Sequence, residues 1–160
     1  MKSLITTLLL AITLSSTAFG DDFDDALAAY NKGDYKTSIK LWRTLAEQGD
    51  ATAQYNLGFM YDEGEGVPED DKQAVKWYRL AAEQGHHAKA QYNLGVMYAN
   101  GHGVPEDIVL AYMWWNLAAA NGIENASKNK GIIAKRMTSS QIAEAQKLSR
   151  ECLKKNYKNC

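Results

Sequence analysis

Ala53-Gln-Tyr-Asn-Leu-Gly58 returns unchanged as Ala90-Gln-Tyr-Asn-Leu-Gly95, 37 residues later. Extended without a gap, Ala53–Gly85 and Ala90–Gly122 agree at 20 of 33 positions. Agreement of that density marks a tandem repeat, and a period in this range points to a helical array. The shared positions include Leu57/Leu94, Tyr61/Tyr98, Val67-Pro68/Val104-Pro105, Ala74/Ala111, Trp77/Trp114 and Leu80-Ala-Ala82/Leu117-Ala-Ala119. Most are apolar or turn-forming, so the repeat is a packing unit. A weaker copy precedes it. Leu45-Ala-Glu-Gln-Gly49 matches the end of the next unit, and Leu41-Trp42 stands where Trp77-Tyr78 stands later. The spacing from Gly49 to Gly85 is 36 and from Gly85 to Gly122 is 37, which puts the extra residue in a loop at His86-His87.

Each unit reads as two helices. Ala53, Leu57 and Tyr61 recur four apart and form one apolar stripe. Gly58 costs that helix roughly 1 kcal/mol relative to Ala. Its return as Gly95 predicts a close helix crossing that a Cβ would push apart. Gly64 and Gly66 stop the helix, because a left-handed cap is cheapest for Gly. Pro68 cannot extend a helix backwards, and Asp70 with Gln73 has the spacing of a capping box for the next one. That second helix places Ala74, Trp77, Leu80 and Ala81 inward, and Lys72, Lys76, Arg79 and Glu83 toward water.

The pattern Ala-x-x-x-Leu-Gly-x-x-Tyr-x-x-Gly-x-Gly-Val-Pro from Ala53 to Pro68, then Ala74-x-x-Trp77 and Ala81-Ala82-x-x-Gly85, resembles the Sel-1-like repeat, a relative of the tetratricopeptide repeat. The resemblance is strong over residues 50–122. Residues 21–49 look more like a tetratricopeptide helix pair, with Ala29-Tyr30 and Gly33-Asp34-Tyr35 at the turn. Residues 134–148 resemble the C-terminal capping segment of bacterial members. The resemblance implies an all-α fold: a right-handed α-solenoid of antiparallel helix pairs with a C-terminal capping helix. It divides the chain into a helix pair at 21–49, repeats at 50–86 and 87–122, and capping helices with a Cys-containing tail at 123–160. It also implies an adaptor that holds other proteins, exported members being linked to envelope assembly and host contact.

Residues 1–20 have the layout of a secretory signal peptide: Lys2, an apolar run from Leu4 to Leu14 broken only by Thr, and Ala18-Phe19-Gly20 before a cut. The run falls short of the about 20 apolar residues a membrane span needs. Export to the periplasm or beyond is therefore expected, without stable membrane insertion after cleavage. The remaining chain is polarised. Residues 21–71 hold 13 acids and 4 bases, a net of −9, whereas residues 126–160 hold 2 acids and 9 bases, a net of +7. Such a dipole orients partners or stacks molecules head to tail, unless it simply solvates two end faces.

Thr138-x-x-Gln141 is a further capping box, opening a helix with Ile142, Ala145 and Leu148-Ser149 inward. Lys135, Arg136, Lys147, Arg150, Lys154 and Lys155 supply the polar outer side that a terminal repeat needs. The helix from Ile108 to Asn121 departs from its twin. Lys72, Lys76, Arg79 and Glu83 become Val109, Met113, Asn116 and Ala120, and Tyr78 becomes Trp115. Val109, Met113 and Trp115 are thus covered by the C-terminal helices or form a partner patch. Cys152 and Cys160 pair if the tail leaves the helix near Lys154-Lys155 and folds back. On one continuous helix they would stand about 12 Å apart, beyond the about 7 Å a disulfide tolerates. Free thiols or an intermolecular bridge are the other outcomes.

Signals for catalysis are weak. Ser127-Lys-Asn-Lys130 fits Ser-x-x-Lys, and Lys36-Thr37-Ser38 is similar to a Lys-Thr-Gly element, a set that would suggest a penicillin-interacting or β-lactamase-like hydrolase, but no Ser-Asp-Asn accompanies them. His86, His87 and His102 are the sole histidines and lack a visible metal-ligand set. The carboxylates of Asp62 to Asp71 lack the order of an EF-hand loop. The basic tail has no aromatic interleaving beyond Tyr157, which disfavours nucleic acid. The reading is a non-catalytic binding protein without cofactor, metal or nucleic-acid partner, its ligand a protein or extended peptide. An envelope element touching peptidoglycan is the alternative. The candidate ligand-binding residues are Gln54, Tyr55 and Asn56 with their repeats Gln91, Tyr92 and Asn93, since an amide both donates to and accepts from a peptide backbone. The same blocks serve equally well to bond neighbouring helices to one another.

Overall fold

The structure, a computed structural model, describes residues 16–85 and 87–160. The leader through residue 15 and His86 lie outside the described residues. Eight helices follow one another: α1 (Ser16–Asn31), α2 (Tyr35–Glu47), α3 (Ala51–Glu63), α4 (Asp71–Ala82), α5 (Ala88–Asn100), α6 (Ile108–Ala120), α7 (Glu124–Ala134) and α8 (Ser139–Lys154). α1 begins before the expected cleavage point after Gly20, so a processed chain would enter this helix at Asp21.

Each helix starts where a side chain can satisfy its free N–H groups. Asp34, Asp70 and Asp107 cap α2, α4 and α6 at the repeat spacing. Asp50 caps α3, and His87 does the same for α5 through its Nδ1, which accepts from the Ala90 N–H. α3 and α5 end at Gly64 and Gly101, both left-handed. The second glycine of each loop has a further task. A Cβ on Gly103 would come within 2.3 Å of the Asp71 carbonyl oxygen, and one on Gly66 within 2.5 Å of Tyr35 Cβ. Each Gly-Val-Pro loop thus nests on the first turn of the preceding unit's second helix.

α1 packs on α2, α2 on α3, and so on in zigzag to α7, while α8 returns to α6. Odd helices form one layer and even helices the other. Among the described residues two contiguous cores result. One joins α1 to α3 around Trp42, Leu45, Leu57 and Met60, with Trp77 of α4 completing it. The other runs from α4 to α8 around Tyr78, Leu94, Met97, Trp114 and Trp115.

The close crossing expected at Gly58 and Gly95 is present. A Cβ on Gly58 would sit 2.8 Å from the Tyr78 ring, and one on Gly95 2.7 Å from the Trp115 ring. α4 differs from the expectation in two respects. Leu80 is 40% exposed, and its inward place is taken by Val75 and Tyr78. Arg79 is half-buried, donating to the Tyr98 hydroxyl of the next unit. Arg43 repeats that contact one unit earlier with Tyr61, at 2.7 Å. Helical periodicity within one hairpin could not show either, because the stacking of the following hairpin decides which side of α4 is covered.

At the C-terminus, α7 and α8 lie on α6, and Met113 and Trp115 are 1% and 5% exposed. Those two side chains therefore offer no open partner patch, and Val109 is half-buried beside them. The physical reason is the loss of charge on that side of α6, which lets α7 and α8 close over it. Thr138 and Gln141 form the complete capping box. Cys152 and Cys160 are joined, with Cα atoms 5.3 Å apart. The chain turns back through Asn156, Tyr157 and Asn159, all with positive φ.

Two alanine substitutions separate crossing from propensity. Gly95→Ala gains up to about 1 kcal/mol of helix propensity and loses about 1–3 kcal/mol by overpacking Trp115. Gly131 in α7 has nothing within 4 Å of an added Cβ, so Gly131→Ala gains about 0.4–1 kcal/mol. Urea denaturation should show opposite signs for the two.

Candidate functional site

The odd-numbered helices stand apart, and the even helices supply the floor of each gap between them. Trp42, Tyr78 and Trp115 occupy that floor at spacings of 36 and 37 residues. The three gaps differ because these floors and their neighbours differ.

Between α1 and α3 lies a groove of about 200 Å³ lined by Leu27, Tyr30, Trp42, Tyr55, Asn56, Phe59 and Met60. Asn56 is half-buried on its wall, and no hydrogen bond among the described residues engages its amide. At the mouth, the Tyr30 hydroxyl donates to Glu65 at 2.6 Å. That bond to a carboxylate, with burial, pushes the Tyr30 pKa up to about 12.

The gap between α3 and α5 is filled by polar contacts instead. Tyr78 donates to Asp62 at 3.0 Å, and the Asn93 amide lies against the hydroxyls of both Tyr55 and Tyr78. Burial raises the pKa of Tyr78 and of Asp62, and the Tyr78 hydrogen bond partly restrains Asp62. Tyr55 also stacks on His87, with ring centroids 4.7 Å apart. Asn93 therefore has two tyrosine hydroxyls beside it, whereas its repeat partner Asn56 faces the groove.

Between α5 and α7, Val96, Ala99, Asn100, Trp115, Asn129, Ile132, Ile133 and Arg136 line an opening of about 230 Å³. Asn129 donates to the Tyr92 hydroxyl at 3.3 Å, Trp115 Nε1 donates to the Tyr92 carbonyl at 3.1 Å, and Arg136 pairs with Glu106 at 3.0 Å. Tyr92 thus ties α5 to α6 and α7.

Gln54 and Gln91 are buried and bond successive units. Gln54 Nε2 donates to the Ala46 carbonyl at 3.1 Å, while its Oε1 accepts from Gln84 at 2.9 Å. Gln91 Nε2 donates to the Ala82 and Gly85 carbonyls, and its Oε1 accepts from Asn121 at 2.9 Å. Neither carboxamide faces a ligand. Of the six residues the repeat singled out, Tyr55 and Asn56 reach the first groove. Trp42, Phe59, Met60, Leu27 and Tyr30, which complete it, went unrecognised. The floor was detectable, since Trp42, Tyr78 and Trp115 share one register, but an aromatic in an apolar stripe carries no sign that it faces a gap.

The catalytic motifs are not brought together. Ser127 and Lys130 lie on α7, where Lys130 donates to Asn116 at 3.0 Å. Lys36 and Thr37 lie in the first turn of α2, where the Thr37 N–H is bonded to the Asp34 cap. Among the described residues, no three His, Cys, Asp or Glu side chains gather as a metal site.

His87 gives a pH test. Burial lowers its pKa below the ordinary value, with nearby Lys89 adding to the effect. Its neutral Nδ1 is the cap acceptor of α5. The unfolded chain therefore binds the proton more readily. This contribution is present above the unfolded value of about 6.5 and is lost as pH falls from there through the lowered folded-state pKa. Asp62, with its raised pKa, works in the opposite direction. His87→Asn keeps a cap, normally about 0.5–2 kcal/mol, and removes the titration. Thermal melts at pH 7.5 and 5.5 should show a smaller acid-induced drop in Tm for His87→Asn than for the unmodified chain.

The Sel1 repeat family model matches residues 27–50, 51–86 and 88–123, so the first helix pair, more tetratricopeptide-like to the eye, falls within the same repeat. Among solved structures, a protective antigen of uropathogenic Escherichia coli strains displaying an SLR fold superposes with a TM-score of 0.79 at 30% identity, over 87% of this chain and 31% of that one. A Sel1 repeat protein from Oxalobacter formigenes superposes with a TM-score of 0.63 at 38% identity, over 71% and 87% of the two chains. Among curated proteins, an exopolysaccharide production negative regulator of Rhizobium leguminosarum bv. viciae is 35% identical over 65 residues, 41% of this chain and 24% of the regulator. An F-box protein of Arabidopsis thaliana is 35% identical over 63 residues, 39% of this chain and 17% of its own. The match spans less than a quarter of either curated relative. With three tandem repeats and an all-helical stack of hairpins, the chain belongs to the Sel1 repeat family, whose members typically mediate protein–protein interaction.

Proposed function

We propose that the chain is an exported, non-catalytic adaptor that holds a partner polypeptide against its odd-numbered helices. The observation that carries this is Asn56. It is an amide without an intramolecular hydrogen bond among the described residues, set in an apolar groove between two helices. A peptide backbone offers that amide both a donor and an acceptor, and the Trp42 and Phe59 rings accept an apolar side chain. The family's typical role in protein–protein interaction agrees with this reading.

Two features support export. The leader has the charge, apolar run and small residues that signal peptidase requires. The disulfide between Cys152 and Cys160 belongs to an oxidising compartment. No helix among the described residues is long and apolar enough to cross a membrane.

Both parts are testable on the chain expressed in a Gram-negative host. N-terminal sequencing of the exported pool should return Asp21, and a chain retaining Met1 in the cytosol would contradict export. Crosslinking in the envelope, followed by purification and mass spectrometry, should retrieve specific partners. Asn56→Ala should lose them with unchanged helicity, whereas partners retained at full yield would exclude this groove.

A further inference from the structure

The first groove differs from the other two in charge as well as in its free amide. Residues 21–71 carry 13 acids against 4 bases. Among the described residues, ion pairs join Lys128 to Glu124, Arg136 to Glu106 and Lys147 to Glu144, and none engages an acid between residues 22 and 71. Two of those acids stand at the mouth of the groove. Glu65 accepts from Tyr30 on its wall and from Tyr35 beside it. Glu63 acts on Tyr30 through its charge. The floor beneath them is Trp42, Phe59 and Met60. In the third opening Arg136 is paired with Glu106 and Asn129 is already bonded.

We propose that the groove between α1 and α3 binds an extended peptide segment bearing Lys or Arg side chains on either side of one large apolar residue. This rests on the adaptor reading and names the chemistry of its partner. The apolar residue enters over Trp42 and Phe59. Asn56 bonds the backbone beside it. The flanking cations reach Glu63 and Glu65, which form no ion pair among the described residues. An acidic segment would meet these two carboxylates, and repulsion across an interface discriminates strongly. The chain's own basic end, residues 126–160, is the competing occupant. It is disfavoured because its cations are spread over the folded surfaces of α7 and α8, and a groove of about 200 Å³ admits a side chain, not a helix pair.

The test uses the processed chain and three fluorescein-labelled peptides that share a central Leu-Phe and differ only in their flanks: Lys, Gln or Glu. Fluorescence anisotropy should rank them Lys, Gln, Glu, with about tenfold between the first two, equal to about 1.4 kcal/mol. Added salt should weaken only the Lys peptide. Asn56→Ala should cost all binding about tenfold. Glu63→Gln with Glu65→Gln should cancel the Lys preference, while Glu47→Gln on α2 should leave it intact. Equal affinity for the three peptides, or persistence of the preference in the Glu63/Glu65 variant, overturns the cationic assignment and leaves the adaptor reading in place. Binding of none of them overturns the groove itself. Salt-sensitive self-association in sedimentation that is blocked by Asn56→Ala assigns the groove to a second copy and overturns the proposal.

Discussion

A glycine lying under an aromatic ring sets the geometry of the α3–α4 and α5–α6 hairpins. Gly58 meets Tyr78 and Gly95 meets Trp115 so closely that no Cβ fits between them. The two helices of a unit can then cross with the ring buried at their junction. The same ring forms the floor of the gap toward the neighbouring odd helix. One contact therefore fixes both the internal angle of a repeat and the depth of its surface groove. It also explains why a residue as costly to a helix as glycine, by about 1 kcal/mol, stands in the middle of α3 and again in α5.

Neighbouring units are joined by polar contacts that recur with the period. Gln54 with Gln84, and Gln91 with Asn121, tie the end of one hairpin to the start of the next through backbone carbonyls. Arg43 with Tyr61 and Arg79 with Tyr98 do so at the other edge. In an array where each unit touches only its neighbours, such contacts transmit stability along the stack. The array is closed at one end. α7 and α8 cover α6, and the disulfide-linked turn presses Tyr157 against Gly85, where an added Cβ would fall 2.5 Å from the ring. At the opposite end, the change of floor from Tyr78 to Trp42 removes the hydroxyl that faces Asn93 in the middle gap. Asn56 lacks that hydroxyl.

Much of this fold was legible in the residues. The repeat at 37, the glycine crossing, the Gly-Val-Pro turns and the Thr138 capping box each follow from local chemistry, and each is found; of the box expected at Asp70 and Gln73, only the Asp70 cap forms. Helix α7 was less visible, because Ile123 provides no side-chain cap and the segment contains Asn, Ser and Gly in place of an apolar stripe. The site was harder still. Gln54 and Asn56 belong to the same repeated block, yet one is locked between units and the other faces a groove. Repetition reports that a residue is needed in each unit. It does not report which of its neighbours change from unit to unit, and here the changing neighbour, Trp42 in place of Tyr78, decides the outcome.

The ring-over-glycine constraint is tested most directly by a double-mutant cycle on Gly95 and Trp115, with unfolding free energies from urea denaturation. Trp115→Leu takes away the atoms that an alanine methyl would meet. If the contact sets the hairpin geometry, Gly95→Ala is destabilising in the original background and neutral or stabilising in Trp115→Leu, with a coupling of about 0.5–3 kcal/mol. An equal cost of Gly95→Ala in both backgrounds would show that the crossing does not depend on this ring, and the account of the grooves would fall with it.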